Sequence, residues 1–228
     1  MAHRPMCSRP RPSPPLKRAP MPDGIPVLYA DDAIVIVDKP AGLLAVPGRG
    51  AERQDCASSR VQAHFNDALI VHRLDQATSG LLVFARGEAG QRRLSRAFAE
   101  RNVTKRYTAV VDGLLADDHG TIELPLAADW PNRPRQQVDM QHGKPSQTHW
   151  RVLARDVSAR TTRLELAPRT GRSHQLRVHL LAIGHPILGD ALYAPALAAP
   201  RLMLHACALT LPHPDDGRLL NFSSAVPF

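Results

Sequence analysis

The chain has 228 residues, 43% of them hydrophobic, and a formal net charge of +8, with a pI near 10.1. That is enough apolar material for one filled domain, which excludes a wholly disordered chain, and the basic balance points to a polyanionic partner. No run is apolar enough to span a membrane or to serve as a secretory signal core, and Cys7, Cys56 and Cys207 are too scattered for a zinc site or a disulfide framework.

Residues 1–24 hold Arg4, Arg9, Arg11, Lys17 and Arg18 against Asp23 alone, together with seven of the 21 prolines. Proline removes backbone donors and fixes φ, so this Pro/Arg-rich stretch is expected to be a disordered tail. Strands are expected at 27–30 and 33–38 around an Asp31-Asp32 turn, and Lys39-Pro40-Ala41-Gly42 must end the second. A short helix is expected at 60–65. The polar run His72-Arg73-Leu74-Asp75-Gln76-Ala77-Thr78-Ser79-Gly80 then feeds an apolar segment, 81–85, of the kind that forms a core strand. Loops carried by such strands often hold chemistry, so Asp75 stands where a scaffold can present it to a substrate; taken as structure alone, the run is an ion pair and a hairpin turn.

Residues 88–100 form the clearest surface helix, with Leu94, Ala97 and Phe98 on one face and Arg92, Arg93 and Arg96 largely away from it. A strand over 103–111 carries Lys105, Arg106 and Tyr107. Short apolar pieces broken by Pro and Gly over 121–155 suggest hairpins, and 162–167 alternates as a strand. A helix is expected at 173–183, with Leu176, Leu180 and Ile183 as its apolar stripe and Gly184 and Pro186 as its stop. Strands at 201–211 and 219–222 follow. Many strands, few helices and no regular βαβ alternation give an α+β fold with a mostly antiparallel sheet.

Five ordered segments carry a family resemblance. They are Asp38-Lys39-Pro40-Ala41-Gly42-Leu43, the His72–Gly80 run, Lys105-Arg106-Tyr107, Thr170–His179 continuing through Gly184–Asp190, and Arg201-Leu202-Met203-Leu204-His205-Ala206. Together they resemble the RluA family of pseudouridine synthases. Asp129-Trp130-Pro131-Asn132-Arg133-Pro134-Arg135-Gln136, Gly143-Lys144-Pro145-Ser146-Gln147-Thr148 and Ala45-Val46-Pro47-Gly48-Arg49 resemble the founding, dual-specificity member of that family.

The resemblance implies the pseudouridine synthase fold: a mixed, mostly antiparallel sheet in two halves, with flanking helices and a central active-site cleft. It implies one catalytic domain over 25–228 with no S4 RNA-binding domain. The activity implied is an isomerase that converts uridine to pseudouridine in RNA: by resemblance, uridine 32 of a tRNA anticodon stem-loop and uridine 746 of a 23S rRNA hairpin. A cytoplasmic monomer is expected, needing no cofactor, metal, membrane or obligate protein partner.

Asp75 is the implied catalytic carboxylate, acting as a nucleophile toward sugar or base, or as a base toward a sugar proton; the residues leave both routes open. Arg177 is its implied counter-charge, since a buried carboxylate is most easily held ionised by an opposite charge. Tyr107 is implied to stack on the flipped uracil and to handle a proton. Arg73 is suited to the gap that the base leaves, Leu176 to the pocket wall, and His72 to substrate binding. Lys105, Arg106 and Arg172 are candidate phosphate contacts. A glycosidase needs paired carboxylates, and Asp38 and Asp190 lie far from Asp75 in sequence. A non-catalytic RNA-binding module would explain the charge but not Asp75, Tyr107 and Arg177 together, and 4% aromatic content is low for a stacking platform.

Overall fold

A computed structural model describes residues 24–228; the expected tail, 1–24, lies outside the described residues apart from Gly24. β1 (Val27–Ala30) and β2 (Ile34–Lys39) pair antiparallel. Their turn is held by Asp31, whose Oδ1 accepts the amides of Ala33 and Ile34 at 2.9 and 2.8 Å. β2 also pairs antiparallel with β4 (Ser79–Arg86), to which the short β3 (Ala68–Ile70) adds. No strand was expected at β3.

Both faces of β2 and β4 are covered, which is why the two strands read as unbroken apolar runs. Val35, Val37, Leu82 and Phe84 pack on one side with Ala57 and Val61 of α1 (Ala57–Gln62). Ile34, Ile36, Leu81 and Val83 pack on the other with Leu94 and Ala97 of α2 (Gly87–Ala99). α1 starts three residues before the expected 60–65. Its start is set by a capping box in which the Ser59 amide donates to Cys56 Sγ and the Cys56 amide donates to Ser59 Oγ. On α2 the expected polar face is exposed, with Arg92, Arg93 and Arg96 paired to Glu88, Asp215 and Glu100.

The second half contains β5 (Thr104–Asp112), β6 (His119–Glu123), β9 (Gln147–Asp156), β10 (Thr161–Pro168), β11 (Leu204–Pro212) and β12 (Leu219–Ser223). The sheet runs β1-β2-β4-β11-β5-β10-β9-β6, with β12 on β11 and β3 on β4. β7 (Leu126–Ala128) and β8 (Gln136–Val138) form a separate ribbon, and α3 (Gln175–Ala182) packs Leu176 and Leu180 against β10 and β5. β10 alternates buried and half-buried positions, as its sequence pattern required. α3 differs from its expected stripe: Gln175 through Leu180 are all buried, so the helix is enclosed rather than amphipathic.

The halves meet at one short parallel contact, His205↔Ser79 and Ala206↔Gly80, while the other pairings between the named strands are antiparallel. Gly80 has φ +114°, and a Cβ there would lie 2.4 Å from the Ala206 carbonyl oxygen, so only glycine permits the approach. A polar chain crosses the same joint: Arg201 donates to Ser79, Ser79 Oγ and His205 Nδ1 lie 2.7 Å apart, and His205 Nε2 is 3.0 Å from Ser224 Oγ. The Asp75 loop therefore ends on the seam between the two halves.

Candidate active site

The loop before β4 is held from beneath by Lys39. This lysine is fully buried, and its Nζ donates to the carbonyls of Pro40, Leu43 and Gln76 at 2.9, 2.7 and 3.2 Å. The Gly42 amide also donates to the Gln76 carbonyl at 2.8 Å. Burial pushes the Lys39 ammonium down to about 8, with the Asp75 carboxylate opposing the shift. Lys39 thus fastens the 40–43 turn to the residue after Asp75, a task that no local pattern announced.

Across the cleft, α3 delivers Arg177. Its Nη1 donates to Asp75 Oδ2 at 3.3 Å, while Nε and Nη2 make a bidentate pair with Asp190 at 2.7 Å each. The Arg177 and Asp190 side chains are 7% and 1% exposed. Burial alone would lower the Arg177 pKa, but Asp190 and then Asp75 outweigh it and hold the guanidinium above its usual value. Burial would likewise raise Asp190, and Arg177 overcomes it. Asp190 also accepts the amides of Leu192 and Tyr193 at 3.1 Å each. Its distance from Asp75 along the sequence is thus no guide to its place. Asp190 belongs to the site, as the clamp on Arg177 and not as a free second acid.

Tyr107 lines the same cleft from β5. Burial first, and Asp75 second, push its hydroxyl well above the usual tyrosine range, so it is held protonated. Leu176 forms part of the wall, and Arg73, exposed, lines the cleft beside Asp75. His72 stacks on Phe98 with ring centroids 4.7 Å apart, and its Nε2 accepts the Val83 amide at 3.1 Å. That bond leaves the ring neutral; burial first, then Lys105, lowers its pKa to about 3.

Lys105 lines the cleft and donates to the Thr170 carbonyl at 3.3 Å, and Arg172 lies on the rim. Arg106 is not among the cleft-lining residues. Successive strand residues face opposite ways, and Arg106 is paired with Glu165 at 2.6 Å on the other face.

The cleft has a volume of about 1250 Å³, above the usual small-molecule range of about 300–1,000 Å³. Nine Lys and Arg residues line it against two carboxylates, Asp75 and Asp190, which suits a polyanion. Arg133 and Pro134, from the loop joining β7 to β8, reach its rim. Trp130 in that loop is 67% exposed, with the Arg133 guanidinium 3.5 Å from its ring centre. Among the described residues, no group of three or more His, Cys, Asp or Glu is placed to hold a metal ion. No helix there is long and apolar enough to cross a membrane.

Residues 33–182 match the family model described as RNA pseudouridylate synthase. The chain is similar to the dual-specificity RNA pseudouridine synthase RluA of Yersinia pestis, with 52% identity over 205 residues, covering 89% of this chain and 99% of that protein. It is 49% identical to the protein of the same name from Escherichia coli K12, covering 89% and 93%. Among solved structures, human RNA pseudouridylate synthase domain containing 1 superimposes with a TM-score of 0.77 at 27% identity, covering 92% of this chain and 86% of that one.

Proposed function

The chain belongs to the RNA pseudouridylate synthase family and is an RNA pseudouridine synthase, and we propose that it acts on two RNAs through Asp75. The substrates proposed are a tRNA anticodon stem-loop, at uridine 32, and a 23S rRNA hairpin, at uridine 746. Support comes from similarity, at about half of all positions, to proteins named for dual specificity. The observation that carries the site assignment is the Asp75 carboxylate lying 3.3 Å from a buried arginine, in a basic cleft that Tyr107 also lines.

The reaction detaches uracil from C1′, turns it and rejoins it through carbon, so atoms and electrons balance within the nucleotide. The target base leaves its stack at a cost of roughly a few kcal/mol. Arg73 fills the vacated space. The Tyr107 ring receives the base, and its protonated hydroxyl donates to the substrate. Arg177 sets a positive charge 3.3 Å from Asp75 and fixes the direction of Oδ2, and Leu176 excludes water from one side. His72 supports the pocket through Phe98, while Lys105 and Arg172 meet backbone phosphates. Arg106 is a weaker candidate, since Glu165 already neutralises it. The proposed organisation is one catalytic domain over 25–228 preceded by the basic stretch 1–24, working in the cytoplasm as a monomer without an obligate protein partner.

Asp75→Asn tests the assignment. The variant should form no pseudouridine while binding RNA within about tenfold of wild type, or ~1.4 kcal/mol. Substantial turnover, with deamidation excluded by mass spectrometry, would remove Asp75 from the mechanism. Mapping pseudouridine in a strain lacking the gene tests the substrates: both the tRNA and the rRNA position should revert to uridine.

A further inference from the structure

We propose that His174 reads the ribose 2′-hydroxyl of the target nucleotide, holding it between its own Nε2–H and the Asp75 carboxylate. The inference rests on the reaction proposed above and assigns a recognition contact that it does not include.

His174 precedes α3 with φ 53° and ψ 17°, a left-handed backbone that non-glycine residues adopt only where their surroundings impose it. Its side chain is 14% exposed. Its Nδ1 lies 2.7 Å from Tyr193 Oη, and that same oxygen accepts the Gln136 amide at 2.7 Å. Tyr193 is 7% exposed, so its hydroxyl proton must find an acceptor within the protein, and Nδ1 of His174 is the one in reach. An imidazole that accepts at Nδ1 carries its proton on Nε2. Burial, opposed by Asp75, keeps the ring below the usual histidine pKa and so neutral.

That Nε2–H faces Asp75 Oδ1 across 3.9 Å, too far for a direct hydrogen bond. The other carboxylate oxygen is already engaged by Arg177. A single oxygen about 2.8 Å from both atoms would satisfy each, at an angle near 90°. Such an atom must accept from Nε2–H and also donate to a carboxylate. Uracil carbonyls and ionised phosphates cannot donate. The one hydroxyl of an internal nucleotide is its 2′-OH, the group by which a protein distinguishes RNA from DNA. Gln136 links this chain of hydrogen bonds to β8, so the donor's tautomer is set by the same ribbon that carries Trp130 and Arg133.

The test uses a short RNA stem-loop in which the wild type forms pseudouridine. It is made with uridine or 2′-deoxyuridine at the target, and with a single deoxy sugar at the next nucleotide as control. Dissociation constants and single-turnover rates are measured for wild type, His174→Gly and His174→Gln, with melting curves to establish folding. Glycine suits the left-handed backbone and removes the donor; glutamine keeps an N–H at similar reach. The target deoxy sugar should cost wild type and His174→Gln about tenfold in affinity, but His174→Gly about twofold or less. Should His174→Gly fail to fold, His174→Asn, which tolerates the same backbone but is too short, replaces it. Equal penalties in wild type and the donor-less variant, with pseudouridine still formed, overturn the His174 contact and leave the reaction intact. A wild type that makes no pseudouridine in any stem-loop overturns the reaction and this inference together.

Discussion

Asp190→Asn removes one charge from the cleft and turns the oxygen that faces Arg177 Nε into an N–H donor. The amide has nearly the size of the carboxylate, and its carbonyl oxygen can still accept the Leu192 and Tyr193 amides. What is lost is the anion facing Arg177, whose two contacts at 2.7 Å join side chains 7% and 1% exposed. Breaking a buried pair by neutralising one partner costs about 3–5 kcal/mol, because the remaining charge stays out of water. That is a large share of a typical stability of about 5–15 kcal/mol.

The remaining anion within reach of the guanidinium is Asp75, at 3.3 Å. Arg177 should therefore close on Asp75 and tie up the carboxylate that the reaction needs. Urea unfolding should show stability reduced by about 3–5 kcal/mol. Single-turnover isomerisation should slow at least tenfold, with RNA affinity little changed. A double variant, Arg177→Met with Asp190→Asn, should regain much of the stability, since the unpaired buried charge is gone and the Leu192 and Tyr193 amides keep their acceptor, yet recover no rate. A single variant within about 1 kcal/mol of wild type in stability and with normal turnover would show that Asp190 does not hold Arg177.

Tyr107→Phe should bind RNA nearly normally and isomerise about 10²–10⁴-fold more slowly; Tyr107→Ala should also lose roughly 1–3 kcal/mol of stacking. A Phe variant with the wild-type single-turnover rate would reassign the proton transfer. Burial first of all lowers the pKa of His72, to about 3, and lowers those of His174, His179 and His205. These rings stay neutral in the fold, while the unfolded chain protonates them near 6.5. For His72 the unfolded state thus binds an extra proton between about pH 3 and roughly 6.5, and the other three act in the same direction below roughly 6.5, so stability is full above about 6.5 and falls as pH drops, by up to ~1.4 kcal/mol per pH unit for His72. Calorimetry from pH 7.5 to 5 should show a falling Tm, less steep in His72→Gln; a flat profile counts against neutral buried histidines. Deleting residues 1–24 should leave the modified position unchanged, while RNA affinity falls less steeply with salt because about four net positive charges are lost. A changed target uridine in the truncated protein would assign selection to that stretch.

Much of the architecture was legible because it depends on neighbours a few residues apart. The alternation in β10 and the face shared by Leu94 and Ala97 follow from repeats of about two and 3.6 residues, and the unbroken apolar run at 33–37 marks a strand covered on both faces. The ordered motifs added the family, and with it Asp75, Tyr107 and Arg177 as the residues to look for. Arg106 was expected beside Lys105 as a phosphate contact, but strand alternation turns it away from Lys105 and Tyr107 and onto Glu165.

Other features lie beyond any local pattern. β3 and the capping box of Cys56 and Ser59 are too short and too unusual in composition to announce themselves. Arg177 meets Asp190 13 residues away and Asp75 102 residues away, while Lys39 reaches Gln76 across 37. His174 and Tyr193 are joined across 19. Arg177 and Asp75 meet because the two halves of the sheet close at Gly80 and Ala206, and the other pairs are chosen by packing within one half. Sequence determines the charges and the periodicities; which buried charge meets which is decided when packing removes water, because only then does an unpaired group become too costly to leave alone.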